Sequence, residues 1–361
     1  MKPKKQTKTI SEATFIARIS EYGGYINAHL HLDRANTIER RYLEHASMDP
    51  FEASSYPLRV KQDLTGELHR GLAYQAEDLE KRMRDAIEML IALNTRQAHS
   101  FIDATADNVG LTAFDIAMKL KQEFKDKIDL RIGAYGIFGF RDSQPQRWEI
   151  FKEAAEKADY IGSLPERDDN PGHIGYDEHL KRILKLAHEL KKPVHLQVDQ
   201  KNHPDENGTE TLIQAVRWLG SPKIYEKLPS VWAVHSISPS AYDEKRFGKL
   251  VEELVRYNIG IICCPSAAIS MKQLRGIQAP THNSVARVLE MLEAGVKARL
   301  GSDNIADVFM PFGTPDLYQE VRNLADAVRF YNLDVWAKVA AGTELNNMDR
   351  KFISDALNAD L

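Results

Sequence analysis

The fold is decided by the stretch Tyr25-Ile26-Asn27-Ala28-His29-Leu30-His31-Leu32-Asp33, an apolar run that ends in two histidines one residue apart. In a β-strand, residues two apart lie on the same face, so His29 and His31 would project together from the end of a strand. Two neutral imidazoles on one face favour a divalent-metal site. The alternative is a strand that happens to carry two histidines, and the rest of the chain decides between them.

The composition narrows the class of protein. The chain has 361 residues, 43% of them hydrophobic, which suffices for one barrel-sized domain or two ordinary domains. The 48 basic and 52 acidic residues nearly balance, so no basic face indicates a nucleic-acid partner. No apolar run reaches the ~18 residues of a transmembrane helix, which predicts no membrane partner. The adjacent Cys263 and Cys264 are unsuited to an ordinary disulfide, and we expect a cytoplasmic protein.

Short apolar or β-branched runs alternate with longer stretches of helical periodicity, which indicates βα units and a parallel sheet. Eight such units favour a (β/α)₈ TIM-type barrel, and an open doubly wound sheet is the structural alternative. No Gly-x-Gly-x-x-Gly or Walker-type loop follows an early strand, which argues against a nucleotide-binding open sheet. The predicted strands are Gly24–His31, His99–Asp103, Ile128–Tyr135, Tyr160–Leu164, Pro193–Asp199, Val231–His235, Ile259–Cys264 and Val296–Leu300.

Polar side chains with useful chemistry stand where several of these strands end. In a barrel, function collects at the carboxyl ends of the strands, so such residues would lie together around one mouth. They are His29 and His31 on the first strand, Gln197 and Asp199 on the fifth, His235 on the sixth and Asp303 after the eighth.

These residues carry a resemblance to a known family. His29-Leu30-His31-Leu32-Asp33, the lone His235 and Gly301-Ser302-Asp303-Asn304 resemble the amidohydrolase superfamily, and within it the cytosine deaminase-like branch, which includes triazine-ring hydrolases. The likeness runs from about Gly24 to Asn347.

The resemblance implies one divalent metal ion, usually zinc or iron, and an activated water. Carried over by position, His29 and His31 are metal ligands and Asp303 is both a ligand and the base. His235 would orient the water or stabilise an oxyanion. In the family, a histidine on the fifth strand completes the ligand set, and a glutamate three residues later shuttles a proton.

The fifth strand departs from that pattern, because Gln197 stands where the ligand histidine is expected and Gln200 where the glutamate is expected. A glutamine can coordinate a metal only through its weakly basic carbonyl oxygen, and it cannot deliver a proton near neutral pH. Gln197 is therefore the expected fourth ligand position, and Gln200 would orient the substrate. A second register would place His195 in the ligand role, but His195 lies about 6.6 Å deeper along the strand, at ~3.3 Å per residue. Asp199 is the remaining candidate for a proton shuttle.

The predicted organisation is an N-terminal segment (residues 1–23), a barrel (24–345) and a C-terminal tail (346–361), with the β-sandwich that usually accompanies this family reduced or absent. The residues from Arg34 to about Ala73 would form a lid or a subunit contact, and the sequence leaves open whether the chain is a homo-oligomer.

We expect a metal-dependent hydrolase of carbon–nitrogen bonds other than peptide bonds, deaminase- or amidase-like, with a small nitrogen heterocycle as substrate. Tyr135 ends the third strand where cytosine deaminases carry a substrate-binding glutamine, so cytosine itself is not the expected substrate. The alternative is a degenerate barrel with a binding or regulatory role, because both Gln197 and Gln200 are altered.

Overall fold

The computed structural model describes residues 9–271 and 285–359, and its strands form one parallel sheet in sequential order that is nearly closed into a barrel. Residues 1–8 of the predicted N-terminal segment and residues 360–361 of the predicted tail lie outside the described residues. The strands are β1 (Tyr25–His31), β2 (Thr95–Asp103), β3 (Asp129–Tyr135), β4 (Tyr160–Ser163), β5 (Val194–Val198), β6 (Val231–His235), β7 (Ile259–Cys263) and β8 (Ala298–Leu300).

Helices cover the outside of this sheet. They are α1 (Ile10–Glu21), α2 (Pro50–Ala53), α3 (Leu58–Arg70), α4 (Ala76–Ala92), α5 (Thr112–Phe124), α6 (Gln146–Lys157), α7 (Tyr176–Leu190), α8 (Gly208–Leu219), α9 (Glu244–Arg256), α10 (Pro265–Ile269), α11 (Val288–Ala294), α12 (Leu317–Val328), α13 (Leu333–Ala340) and α14 (Asn347–Ala359). Short 3₁₀ helices lie at Arg40–Tyr42, Glu44–Ala46, Leu72–Tyr74, Pro165–Asp168 and Ser238–Ala241.

The amino-acid pattern explains why these segments pack as they do. The short strands β5, β6 and β7 are buried at every residue, as expected for strands covered on one face by helices and on the other by the barrel interior. Helix α9 buries Phe247, Leu250, Val251 and Leu254, whose spacing places them on one stripe of a helix. The core therefore lies between the sheet and the helical layer, and the polar residues collect inside the barrel mouth.

The barrel closes between its first and last strands. The Asp303 N–H donates to the His29 carbonyl at 2.9 Å, and the His31 N–H donates to the Asp303 carbonyl at 3.3 Å. The Asn27 side chain adds hydrogen bonds to Ser302 in both directions. A Cβ at Gly301 would lie 2.8 Å from the His29 Cβ, so only glycine permits this close approach of the two chains.

The (β/α)₈ barrel predicted from the sequence is confirmed, and β6 has the predicted bounds. Strand β2 begins at Thr95, four residues before the predicted start, because Thr95 pairs with β1 and the residues Gln97 and Ala98 pair with both β1 and β3. The C-terminal segment expected to be a tail contains α14, which packs against α11. The segment between β1 and α4 contains the two helices α2 and α3, and α3 lies over the barrel mouth.

Within residues 9–271 and 285–359, no helix is both long and apolar enough to cross a membrane.

Candidate metal centre and pocket

The candidate centre is built by side chains from four places in the barrel. His29 and His31 extend from β1, Gln197 from β5 and His235 from the end of β6, and Asp303 follows β8. All five are buried. The alternation of β1 sends both histidines to the inside, and the carboxyl ends of parallel strands meet at one mouth. The structure thus brings together the residues that the sequence singled out on strands one, six and eight, and Gln197 but not Asp199 of the two on strand five.

Asp303 lies at the middle of this group. Its Oδ1 is 3.4 Å from the Nε2 atoms of both His29 and His31, and its Oδ2 is 4.0 Å from the Nε2 of His235. One potential ligand atom each of His29, His235 and Asp303 lies within 4.8 Å of the other two. Within the described part of the chain, His235 Nε2 and Asp303 Oδ1 are buried without a hydrogen-bond partner. Unpartnered buried atoms that converge on one point, with nitrogen and oxygen donors, fit a divalent metal ion.

The protonation states also suit ligation. Burial lowers the pKa of His235 to about 4 and lowers that of His31 well below its ordinary value, so both imidazoles are neutral at pH 7. Burial alone would raise the pKa of Asp303, but the interaction with the adjacent His29 imidazole outweighs burial and lowers the pKa. Neutral imidazoles and an ionised carboxylate are the forms that bind metal ions.

Two of these side chains stand on an uncommon backbone conformation. His235 has φ of 75° and Asp303 has φ of 60°, which is the left-handed region that residues other than glycine rarely occupy. Such conformations persist where the surrounding structure imposes them, and they are concentrated at functional sites. The strand-to-loop turns of β6 and β8 therefore hold both side chains towards the barrel axis.

Gln197 occupies the remaining side of the centre. Its Nε2 lies 3.1 Å from His29 Nε2 and 3.3 Å from His31 Nε2, and its Oε1 accepts a hydrogen bond of 2.8 Å from the Tyr135 hydroxyl. The amide N–H groups can thus donate to the lone pairs of the neutral imidazoles. A half-turn of the amide exchanges its oxygen and nitrogen without changing its shape, and would direct the oxygen to the same point. Tyr135 could serve either orientation, because a hydroxyl both donates and accepts.

A pocket of about 520 Å³, part of it open to solvent, leads from the surface to this centre. The barrel contributes His31, Tyr135, Gln197, His235 and Asp303 to its wall, and helix α3 contributes Leu58, Lys61 and Gln62. Gln200, Arg34 and Phe309 complete its polar and aromatic parts.

Similar proteins place this arrangement among known folds. No known family model matches the chain. An uncharacterized protein from Haemophilus influenzae is 28% identical over 278 residues, which are 76% of this chain and 92% of that protein. N-isopropylammelide isopropyl amidohydrolase from Pseudomonas sp. strain ADP is 21% identical over 308 residues, 82% of this chain and 66% of that enzyme.

Among solved structures, 5-methylcytosine deaminase from Klebsiella pneumoniae superposes with a TM-score of 0.74 at 21% identity, over 92% of this chain and 74% of that one. The chain has the fold of the amidohydrolase superfamily and resembles its cytosine deaminase-like branch. The resemblance predicted from the sequence is confirmed. A zinc-bound adenosine deaminase from Xanthomonas campestris matches at a TM-score of 0.51 and 15% identity, over 89% of this chain and 66% of that one.

The position at which the cytosine deaminase-like pattern expects a proton-shuttling glutamate is at the pocket wall. Gln200 lines the pocket, and its Nε2 lies 3.4 Å from Oε2 of Glu166. Glu166 stands in the 3₁₀ helix that follows β4, and its Oε1 is buried with no hydrogen-bond partner among the described residues. Burial, with the nearby Glu206 carboxylate, raises the pKa of Glu166 to about 7. A carboxyl group with that pKa can carry a proton at neutral pH.

Asp199 has a different role from the one its sequence position suggested. Its carboxylate accepts hydrogen bonds from the backbone N–H groups of Gly208 at 2.6 Å and Thr209 at 2.8 Å, at the start of α8. Both oxygens thereby accept hydrogen bonds at a helix N-terminus, which lower the pKa of Asp199, but burial outweighs them and raises it to about 6. Asp199 is not among the residues that line the pocket. The geometry therefore argues against the proton-shuttle role and indicates that Asp199 anchors α8.

Two further polar residues of the barrel, His195 and Asp33, lie close in sequence to the candidate ligands. His195 lies deeper in the barrel than Gln197, where its ring stacks on His99 at 5.4 Å and contacts Tyr160, away from the pocket wall. Asp33 accepts hydrogen bonds from the Asp103 N–H and the Tyr74 hydroxyl, so it supports β2 and does not orient a ligand histidine. Both residues act as structural parts of the barrel.

Sequence reasoning missed two polar residues of the pocket wall, Arg34 and Lys61, and one carboxyl group that contacts Gln200 from outside the wall, Glu166. Glu166 follows the end of β4, and the rule that polar groups collect at strand ends could have found it. Arg34 and Lys61 come from the segment between β1 and α4, and Lys61 lies on α3. The helical spacing of α3 does not reveal which barrel face it covers, so no sequence signal identified Lys61.

Proposed function

We propose that the protein is a metal-dependent hydrolase that cleaves a carbon–nitrogen bond, other than a peptide bond, in a small nitrogen heterocycle. The observation that carries this proposal is the convergence of His29, His31, His235 and Asp303 on one buried point at the base of a pocket. The fold shared with a 5-methylcytosine deaminase and an N-isopropylammelide isopropylaminohydrolase supports it.

His29, His31 and Asp303 would hold one divalent ion, zinc or iron, with the Gln197 oxygen completing the set. When bound, such an ion lowers the pKa of a water molecule so that hydroxide forms near neutral pH. The zinc in the Xanthomonas adenosine deaminase supports this assignment at the level of the fold.

The chain's own residues would move the protons. The ionised Asp303 carboxylate accepts a proton from the attacking water, since its lowered pKa keeps it charged before the reaction. The neutral His235, whose Nε2 is free and 4.0 Å from Asp303, orients the water and then stabilises the oxygen anion that develops on the ring carbon.

The leaving nitrogen needs a proton, and we assign its source to Glu166. Gln200 cannot donate one as an acid, but its amide lies between Glu166 and the pocket wall and holds the Glu166 carboxyl in place. The buried Oε1 of Glu166 is free to carry the proton, and a bridging water or a small rotation would bring it to the substrate. Gln200 would orient the ring through its amide.

A barrel that binds a ligand without catalysis is the second candidate, and the contacts of Gln197 favour it. The amide as it stands satisfies the Nε2 atoms of His29 and His31 with N–H donors, which is an arrangement that needs no metal ion.

Metal analysis separates the two candidates. The protein is purified, dialysed against zinc or iron(II) and measured for bound metal, and then assayed for ammonia or amine release from purines, pyrimidines, triazines and cyclic amides. Bound metal near one per chain, with turnover that a chelator abolishes and metal restores, supports the hydrolase. Absence of bound metal under every loading condition would exclude it, and ligand binding without turnover would support the second candidate.

A further inference from the structure

Two cationic side chains lie in the pocket wall without a carboxylate partner. Arg34 is 3% exposed and Lys61 is 7% exposed, and both line the pocket that ends at Asp303. In the described part of the chain, no carboxylate oxygen lies within the 4.0 Å of an ion pair from either side chain. A buried charge that lacks a partner is costly, so its retention beside a binding pocket indicates that a ligand supplies the partner.

The Arg34 guanidinium is the less satisfied of the two. Among residues 9–271 and 285–359 its side chain has no hydrogen-bond acceptor, and its Nε is buried with no partner. Its planar fork lies 4.8 Å from the centre of the Phe309 ring. Arginine forks match planar oxygen anions with two parallel hydrogen bonds, so the free donors fit a carboxylate or an equivalent pair of oxygens.

Lys61 approaches the same ring from α3. Its Nζ lies 5.8 Å from the centre of the Phe309 ring and donates to the carbonyls of Phe309 at 3.1 Å and Ser54 at 3.4 Å. An ammonium group has three N–H donors, so one remains for a ligand. Burial lowers the pKa of Lys61, as expected for an ammonium group that lacks an ion-pair partner.

Acidic residues near Arg34 favour its charged form, but none of them forms an ion pair with the guanidinium. Burial would lower the pKa of Arg34, but the carboxyl groups of Asp103, Asp33 and Asp307 outweigh burial and raise it. Asp33 has a pKa of about 7, mainly because it is buried, and Asp307 uses its Oδ1 to accept from two backbone N–H groups. These contacts keep Arg34 charged and leave its donors facing the pocket.

We propose that the pocket selects a heterocycle with a planar negative group, held by Arg34 and Lys61 while the ring packs against Phe309. The inference rests on the proposed function, since it names the substrate class of the same pocket. The negative group is either a carboxylate substituent or a ring that has lost a proton from an N–H or C–H flanked by carbonyl groups, and both present oxygen to the arginine fork. A neutral ring such as cytosine leaves both cations unpaired and is therefore bound more weakly.

The test uses the metal-loaded full chain and three ring probes in isothermal titration: orotate, which carries a carboxylate, barbiturate, which is a ring anion, and neutral cytosine. We expect at least one anion to bind about tenfold or more tightly than cytosine, with affinity that falls as salt is added. Arg34→Met and Lys61→Met should each weaken the anion about tenfold or more and change cytosine binding little. Tighter binding of orotate or of barbiturate shows which of the two negative groups the pocket recognises.

Arg59→Met is the matched control, because Arg59 is an exposed cation on the same helix as Lys61 and should leave anion binding unchanged. Circular dichroism checks the folding of each variant. If Arg34→Met does not fold, the inference is tested by Lys61→Met and by the salt dependence of anion binding. Equal or tighter binding of cytosine, no anion binding at millimolar concentration, or equal losses in Arg59→Met would overturn the inference. Selective anion binding without metal or turnover would support the anion site and contradict the proposed hydrolase. Metal-dependent turnover of neutral rings alone would support the hydrolase and contradict the anion site.

Discussion

Replacing Asp107 with asparagine should weaken the attachment of helix α3 to the barrel in a pH-dependent way. His69 lies near the end of α3, and its buried ring contacts two carboxylates: Nδ1 is 2.7 Å from Asp107 Oδ2 and Nε2 is 3.2 Å from Asp103 Oδ2. Burial would lower the pKa of His69, but the hydrogen bonds to Asp103 and Asp107 outweigh it and raise the pKa to about 9. The ring is therefore an imidazolium at neutral pH, and Asp107→Asn removes half of its counter-charge.

The size of the effect follows from the Asp107 side of the pair. Burial would raise the pKa of Asp107, but hydrogen bonds, that of His69 first, lower it from 3.8 to about 2. That lowering corresponds to roughly 2.4 kcal/mol, at about 1.36 kcal/mol for each tenfold change. About a third of the side chain is exposed, and asparagine keeps the acceptor for Thr105 and Val109. The expected loss in the free energy of unfolding is therefore about 1 to 2 kcal/mol.

The sign of the pH dependence is fixed by the raised pKa of His69. Its stabilising charge is fully present below its unfolded pKa of ~6.5 and is lost as the pH rises through about 9. Urea unfolding followed by circular dichroism should therefore show the largest gap between wild type and Asp107→Asn near pH 6, and almost none above about pH 9.5. Asp126→Asn, at an exposed aspartate, should show no such gap. A gap of constant size across this range, or none at pH 6, would refute the reasoning.

Three further predictions concern the candidate centre. Gln197→His should raise zinc affinity, because an imidazole is a stronger zinc ligand than an amide oxygen, and adding Gln200→Glu should raise any deaminase activity; unchanged metal content and activity would contradict this. If Glu166 supplies the proton, kcat should fall as the pH rises through about 7 as its carboxyl ionises, and Glu166→Gln should lower kcat and remove that decline while metal content stays the same. Gly301→Ala should destabilise the fold by about 1 to 3 kcal/mol in urea unfolding and also weaken metal binding, because the new Cβ would lie 2.8 Å from the His29 Cβ; a variant of native stability would refute the close approach.

The barrel and the metal-centre residues were accessible to sequence reasoning because they follow a periodic rule. Apolar runs alternate with amphipathic stretches, and the side chains at the strand ends, such as His29, His235 and Asp303, must meet wherever parallel strands close around one axis. The alternation of strand and helix patterns along the sequence therefore predicts both the barrel and the side chains that meet at its mouth. The structure brings these three residues to one point as the pattern requires.

The remainder depended on contacts between distant segments, which one sequence does not display. Asp199 points away from the pocket because the N–H groups that start α8 bind its carboxylate, and that depends on the path of the intervening loop. The Gln197 amide forms a hydrogen bond with Tyr135 on another strand. Lys61 reaches the pocket because α3 folds back over the barrel mouth. Each of these contacts is set by tertiary packing, which the local propensity of a segment does not predict.

The hydrogen bonds between Asp303 and the strand of His29 and His31 have a consequence for how the protein is made. During synthesis, the histidines leave the ribosome early, and Asp303 follows only after all eight strands. The last strand to be synthesised thus completes the barrel, and the residue that supplies the central carboxylate follows it directly. A nascent or truncated chain can hold ordered βα units, but it cannot hold the assembled centre. The metal centre therefore assembles in one late step, together with the contact between the first and last strands, a long-range contact of the kind that is slow to form.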